Sequence, residues 1–147
     1  MGYNLDLSAL KQAILSLQDS IAVVGDEAWF DAQTDKIQNT LLAGVIQNFE
    51  FVYEVSIKMM RRRLELDASS PVELDASNFR DLLRIAAEKG LIADVEAWFG
   101  YRKMRNITAH TYDHEKAEQV YAQTLFFVKD ALLLLEKLEE RNAPAEA

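Results

Sequence analysis

The side chains best suited to chemistry lie in one short segment of this 147-residue chain, Arg102-Lys103-Met104-Arg105-Asn106-Ile107-Thr108-Ala109-His110-Thr111-Tyr112-Asp113. His110 is a natural proton donor and acceptor, because an ordinary imidazole pKa of about 6.5 leaves both protonation states populated near neutrality. Arg105 is a natural stabiliser of phosphate charge, since its planar fork stays charged and reaches two oxygens at once. Asn106 adds an amide that can orient a bound group, and Tyr112 places a hydroxyl two residues beyond the histidine. Arg102 and Arg105, three apart, share a helix face and form a small cationic ledge. Together these groups point to acid–base work beside a phosphate.

Counted out, the pattern is Arg-x-x-x-x-His-x-Tyr, with asparagine directly after the arginine. It resembles the signature of the HEPN superfamily of helical proteins, particularly its HepT-like branch, also described as nucleotidyltransferase substrate-binding proteins. The segment Asn48-Phe49-Glu50-Phe51-Val52-Tyr53-Glu54 resembles the Phe-Glu stretch on the long second helix of that branch, and size, helix count and helix order are similar over nearly the whole chain. The resemblance implies a homodimeric, metal-independent RNase that needs no cofactor and serves as the toxin of a type VII-like toxin–antitoxin pair. Its antitoxin partner would be a minimal nucleotidyltransferase that silences the toxin by adding AMP to the motif tyrosine. Carried over residue by residue, the resemblance makes Arg105, His110 and Asn106 catalytic and Tyr112 the modified residue; the neighbouring cations Arg102 and Lys103 read, by their charge, as RNA contacts. A second reading keeps the fold and drops the catalysis: a substrate-binding subunit of a two-component nucleotidyltransferase. A third is a merely structural helical dimer.

Metal-free RNA cleavage needs a base for the 2′-hydroxyl proton, an acid for the leaving oxygen and a cation for the phosphorane charge. One chain offers one motif histidine, so a two-histidine mechanism borrows the second from another subunit, and a two-fold dimer would gather two copies of His110 and Arg105 in one composite cleft. Geometry adds a condition. At about 100° per residue, positions five apart on a continuous helix diverge by roughly 140°, so the helix must end or distort between Arg105 and His110, or each must meet its counterpart across the dimer. Thr108 or Asp113 can cap the element that follows.

The elements that must position this segment read as about five helices in an all-α, up-and-down bundle. Glycine (5) and proline (2) are scarce and half of the residues are apolar, which argues against disorder and against a turn-rich β design. At this length a single helical domain over residues 1–147 is expected. Leu10, Ile14, Leu17, Ile21 and Val24 predict a helix over 8–24, broken by Gly25-Asp26. Residues 27–34, with Trp29 and Phe30, read as a connector or a short turn of helix whose aromatics pack. Asp35 is expected to cap a long helix over 35–66. Its two apolar stripes make that helix either central to its own bundle or shared with a second subunit. Ser69-Ser70-Pro71 marks a loop. Ser77 is a plausible cap for the third helix, and Gly90 falls where a left-handed residue would end it. The fourth helix spans 94–105, and the fifth runs from near Asp113 until Asn142-Ala143-Pro144 stops it.

Beside the motif, other polar residues have blander readings. His114 reads as a helix-start residue. Glu50 and Glu54 read as partners in structural hydrogen bonds, and Lys58, Arg61, Arg62 and Arg63 as a solvated helix end that could guide RNA backbone. Trp98, Phe99, Tyr101 and Phe49 read as core. A net charge of −8 rules against a broadly basic scaffold that coats RNA by counterion release, yet it leaves room for a small cationic cleft inside an acidic shell. No cysteine and two histidines leave little from which to build a metal site within one chain. With no signal-like N-terminus and no long apolar window, the expectation is a soluble, cytoplasmic chain without membrane contact.

Overall fold

The computed structural model describes residues 4–68, 78–108 and 113–142. Among these residues there are six helices and no strand: α1 (Ser8–Gly25), α2 (Glu27–Asp31), α3 (Asp35–Asp67), α4 (Phe79–Glu88), α5 (Val95–Ile107) and α6 (His114–Asn142). The expected five are present, and the connector adds the sixth as the short α2. Asp26, which ends α1, accepts a hydrogen bond from the Trp29 amide and so caps α2. Trp29 itself is 44% exposed, contrary to the expectation that it packs. A five-residue helix cannot turn both of its aromatics toward the core, and Phe30 is the one that packs there.

Contacts at the two ends of the long helices fix their directions. Asn39, near the start of α3, reaches His114 at the start of α6, while Arg63, near the end of α3, reaches Asn142 at the end of α6. These two helices therefore run parallel. Leu5, just before α1, exchanges two hydrogen bonds with the Asn142 side chain at 2.9 and 2.7 Å, so α1 is antiparallel to both. α5 lies antiparallel to α6, with Tyr101 bonded to Asp130.

Two N-caps differ from expectation. Thr34, not Asp35, caps α3, its Oγ accepting from the Ile37 amide at 3.3 Å, which leaves Asp35 as a first-turn acid favourable to the helix dipole. Asn78 caps α4, accepting from Asp81 N at 2.9 Å. Ser77 and the loop residues 69–76 lie outside the described residues. The end of α4 follows the sequence reading. Gly90 has φ +81°, its amide donates to Ala87 O, and the Leu91 amide reaches back to Ala86 O at 2.9 Å. This is a Schellman ending whose terminal apolar residue, Leu91, is buried.

Both apolar stripes of α3 are covered by its own chain. Leu42, Val45, Ile46, Phe49, Val52, Tyr53, Met59, Met60 and Leu64 are all buried and Leu41, Val55 and Ile57 partly so, which places this helix at the centre of its own bundle. Large apolar side chains remain exposed on α3 at Ile37, Phe51 and Leu66, and on the outer face of α6 at Leu125, Phe126, Leu132 and Leu133, with Phe126 at 60%. The cationic run at the end of α3 also divides. Arg63 is buried, holding Asp67 at 3.1 Å and Asn142 at 3.2 Å, and so belongs to a clamp between helix ends and not to a solvated surface. Arg141 completes that clamp by pairing with Asp67 at 3.1 Å and donating to the Lys89 carbonyl.

Four aromatic rings form the centre of the core. Phe127 meets Phe49, Tyr101 and Trp98 edge-on at centroid distances of 4.8, 4.9 and 5.7 Å, which is the favourable quadrupole arrangement. The position joins α3, α5 and α6 at a single point. Phe127→Ala is therefore expected to cost about 3–5 kcal/mol of stability, read as a lowered urea midpoint with an unchanged m-value.

Candidate active site at the end of α5

Asp94 starts α5 by accepting from the Ala97 amide at 3.1 Å. From there Trp98, Tyr101 and Met104 recur on the buried side, which turns Arg105 toward α3. The helix stops at Ile107, and Thr108 is its C-terminal cap. Thr108 itself keeps right-handed helical dihedrals, and the step from there to His110 lies outside the described residues. Asp113 then caps α6, accepting from the Glu115 and Lys116 amides at 3.0 and 3.4 Å. Of the two candidate caps, Asp113 serves α6 while Thr108 faces back into the site.

Arg105 is held from two helices. Its Nη1 lies 2.9 Å from Glu50 Oε2 and its Nη2 lies 3.0 Å from Glu54 Oε1. The two glutamates stand four apart on α3 and so share one face. Thr108 joins them, its hydroxyl 3.3 Å from Arg105 Nη1, 2.9 Å from Glu50 Oε2 and 2.6 Å from Arg105 O. A hydroxyl has one proton, so it donates to Glu50 or to the carbonyl and accepts from the guanidinium. The pairs are unequal. Glu50 is 30% exposed and has the Thr108 contact, whereas Glu54 is 57% exposed. An exposed ion pair of the second kind contributes about 0–1 kcal/mol.

Arg102 shares the α3 side with Arg105, as three-residue spacing requires, but it is engaged with an aromatic face. Its guanidinium lies 4.0 Å above the Phe79 ring, which in turn stacks on Tyr53 with centroids 6.2 Å apart. The Tyr53 hydroxyl is pushed above the ordinary tyrosine range, first by burial, with the charges of Arg102 and Arg105 opposing the rise. Asn106 is exposed. Lys103 points elsewhere, into a groove between α5 and α6 of about 900 Å³ lined also by Tyr101, Met104, Ile107, Val120 and Phe126. The structure thus gathers Arg105 and Arg102 and separates Lys103 from them. His110 and Tyr112 lie outside the described residues. His114, at the first position of α6, bonds Asn39 at 2.7 Å through Nδ1 and Glu118 at 3.0 Å through Nε2, consistent with a helix-start role.

Sequence reasoning placed Glu50 and Glu54 in structural hydrogen bonds but did not name Arg105 as their partner, and it missed Thr108 as a member of the site. The available signal was the four-residue spacing of the glutamates, matched by the three-residue spacing of Arg105 and Thr108.

A four-helix core of α1, α3, α5 and α6 carrying a motif arginine at a helix terminus defines a class of small all-helical proteins, and the comparisons with known proteins agree. Residues 5–140 match the family described as nucleotidyltransferase substrate binding protein like. A Haemophilus influenzae protein named "Probable ribonuclease HepT" is 49% identical over 138 residues, covering 94% of each chain. A solved Haemophilus influenzae structure, described as the fold of a substrate binding domain of a nucleotidyltransferase, superposes with a TM-score of 0.88 at 48% identity, over 91% of this chain and 99% of the other. A Thermus thermophilus structure shares the fold at a TM-score of 0.60 and 20% identity, over 83% and 98% of the two chains. The chain belongs to the HepT-like family of nucleotidyltransferase substrate-binding proteins. Among the described residues no helix is long and apolar enough to cross a membrane.

One pH effect follows from the groove. The Tyr101 hydroxyl donates to Asp130, and burial first, then this bond and the Asp130 charge, push it above its ordinary value of 10.0. In the fold the proton is kept beyond the pH at which the unfolded chain releases it, so this stability is complete below about pH 10 and is lost as pH rises through the folded value. The urea midpoint is expected to fall as pH is raised past 10, and Tyr101→Phe to make that fall shallower.

Proposed function

We propose that this chain is a metal-independent RNase acting as the toxin of a toxin–antitoxin pair in the cytoplasm, with a cognate minimal nucleotidyltransferase as its antitoxin. The observation that carries this reading is the placement of Arg105 in the last turn of α5, its guanidinium aimed at α3 beside Glu50, Glu54 and Thr108, with His110 two residues along the chain from Thr108. In the reaction, a His110 imidazole takes the proton of an RNA 2′-hydroxyl, whose oxygen attacks the neighbouring phosphorus. A second His110, from another copy of the chain, protonates the departing 5′-oxygen. Arg105 stabilises the phosphorane charge, Asn106 orients the phosphate, and Arg102 contacts the RNA backbone, whereas Lys103, turned into the α5/α6 groove, is not placed to join it.

The need for a second histidine is what supports a homodimer. The apolar surface for a second copy to cover is the α5/α6 groove with Phe126 and Leu133, which reaches the motif end of α5 through Ile107. The relative named a probable ribonuclease supports the catalytic reading. The similar structure described as a substrate binding domain favours the second one, a non-catalytic subunit that presents substrate to a nucleotidyltransferase.

Purified chain is expected to cleave RNA, and Arg105→Ala and His110→Ala each to lower the rate by about a hundredfold or more with helical circular dichroism unchanged. RNA left intact by a folded wild type that binds its nucleotidyltransferase tightly decides for the second reading. Regulation has its own readout. Co-expression with the adjacent nucleotidyltransferase should raise the intact mass by one or more adenylate units and abolish toxicity. Tyr112→Phe should lose both effects, and a mass gain that survives this substitution removes Tyr112 as the acceptor.

A further inference from the structure

The phosphate-binding arginine of the proposed site is already paired before any RNA arrives. Two carboxylates stand at 2.9 and 3.0 Å from one guanidinium, so the charges of Glu50 and Glu54 more than offset that of Arg105 itself, and an incoming phosphate competes with them for its N–H groups. The two carboxylates are not equivalent. Glu50 is the less exposed, and the Thr108 hydroxyl stands at 2.9 Å from the same oxygen that faces Nη1. Glu54 is more than half exposed, and its described bond is the one to Nη2. In a guanidinium, Nη2 belongs to both edges through which an oxyanion makes two parallel bonds, end-on with Nη1 and side-on with Nε. Glu54 thus takes one of the two hydrogens on the nitrogen shared by both two-bond phosphate geometries and competes for it, while Glu50 and Thr108 hold the other side of the fork in place.

We propose that Glu54 is a displaceable anionic gate on Arg105, which competes with an RNA phosphate for Nη2, and that Glu50 with Thr108 is the fixed mount that keeps the guanidinium aimed while the exchange occurs. The inference rests on Arg105 being the phosphate-binding residue and adds a control on that binding. Glu54 is a gating residue and takes no part in proton transfer.

The test measures binding by fluorescence anisotropy of a labelled 2′-O-methyl oligoribonucleotide, which lacks the attacking hydroxyl and stays uncleaved. Full-length wild type is compared with Glu54→Gln, Arg105→Ala, the Arg105→Ala/Glu54→Gln double variant, and Glu65→Gln. The last removes the same charge from α3 about 16 Å further along the helix. Glutamine keeps the size and the carbonyl acceptor of Glu54 but not its charge. Expected is a Kd lower by about two- to fivefold for Glu54→Gln, no comparable change for Glu65→Gln, and loss of the gain in the Arg105→Ala background. On cleavable RNA the same variant lowers KM by that factor and leaves kcat unchanged.

Unchanged or weaker binding by Glu54→Gln overturns the gate. So does a gain matched by Glu65→Gln or retained without Arg105, since either would be bulk electrostatics. These outcomes differ from failure of the RNase reading, in which wild type leaves RNA intact while the anisotropy arms still report on Glu54.

Discussion

An unbroken helix of 33 residues, α3, is packed by its own chain along two neighbouring stripes, and every other long element takes its place from it. Such a helix is about 50 Å long, so features on it are separated by fixed, calculable distances. Asn39 near its start holds the first turn of α6, Glu50 and Glu54 near its middle hold the last turn of α5, and Arg63 and Asp67 at its end hold the last turn of α6. The motif arginine is therefore located by a rigid rod. Positioning a charged group from regular secondary structure on both sides is what allows a site to keep its geometry when an adjoining turn changes shape.

Electrostatics in this molecule is local in a way that total charge conceals. A chain of net charge −8 nonetheless places Arg102 and Arg105 on one side of α5, one of them spread over an aromatic face at 4.0 Å and the other shared between two carboxylates. Cation–π contact leaves the Arg102 charge uncompensated, since the ring contributes a quadrupole and no counter-ion. Positive potential at the end of α5 accordingly comes more from Arg102 than from Arg105, although both residues are formally equal.

Features governed by local chemistry were legible in the sequence. Gly90 ends α4 in a left-handed turn because only a residue without Cβ does so freely, and Trp98, Tyr101 and Phe49 are buried because their spacing puts them on apolar faces. The placement of Asp113 as a cap at the start of α6 was equally visible, since its carboxylate suits the free amides of a first turn. What stayed hidden depends on pairs distant in sequence. Arg105 and Glu54 are 51 residues apart and Arg63 and Asn142 are 79 apart, and no periodicity within one helix names a partner on another. A row of cations at a helix end reads as solvated, yet burial of Arg63 is decided by where α6 happens to finish. The choice of Thr34 over Asp35 as cap was a matter of one residue between two good cap formers.

The reciprocal bonds between Leu5 and the Asn142 amide join positions 137 residues apart. A carboxamide that donates and accepts against one residue's backbone imitates a rung of sheet, made here by a side chain. During synthesis, α1 leaves the ribosome early, whereas the group that fastens its leading end is among the last of the described residues to emerge. The side of α1 that α6 covers stays bare throughout that interval, and closing so large a loop is the slow, entropically costly step. Among the described residues, the fold is thus completed only once Asn142 has emerged. Any activity that needs this bundle intact has to wait for its last helix.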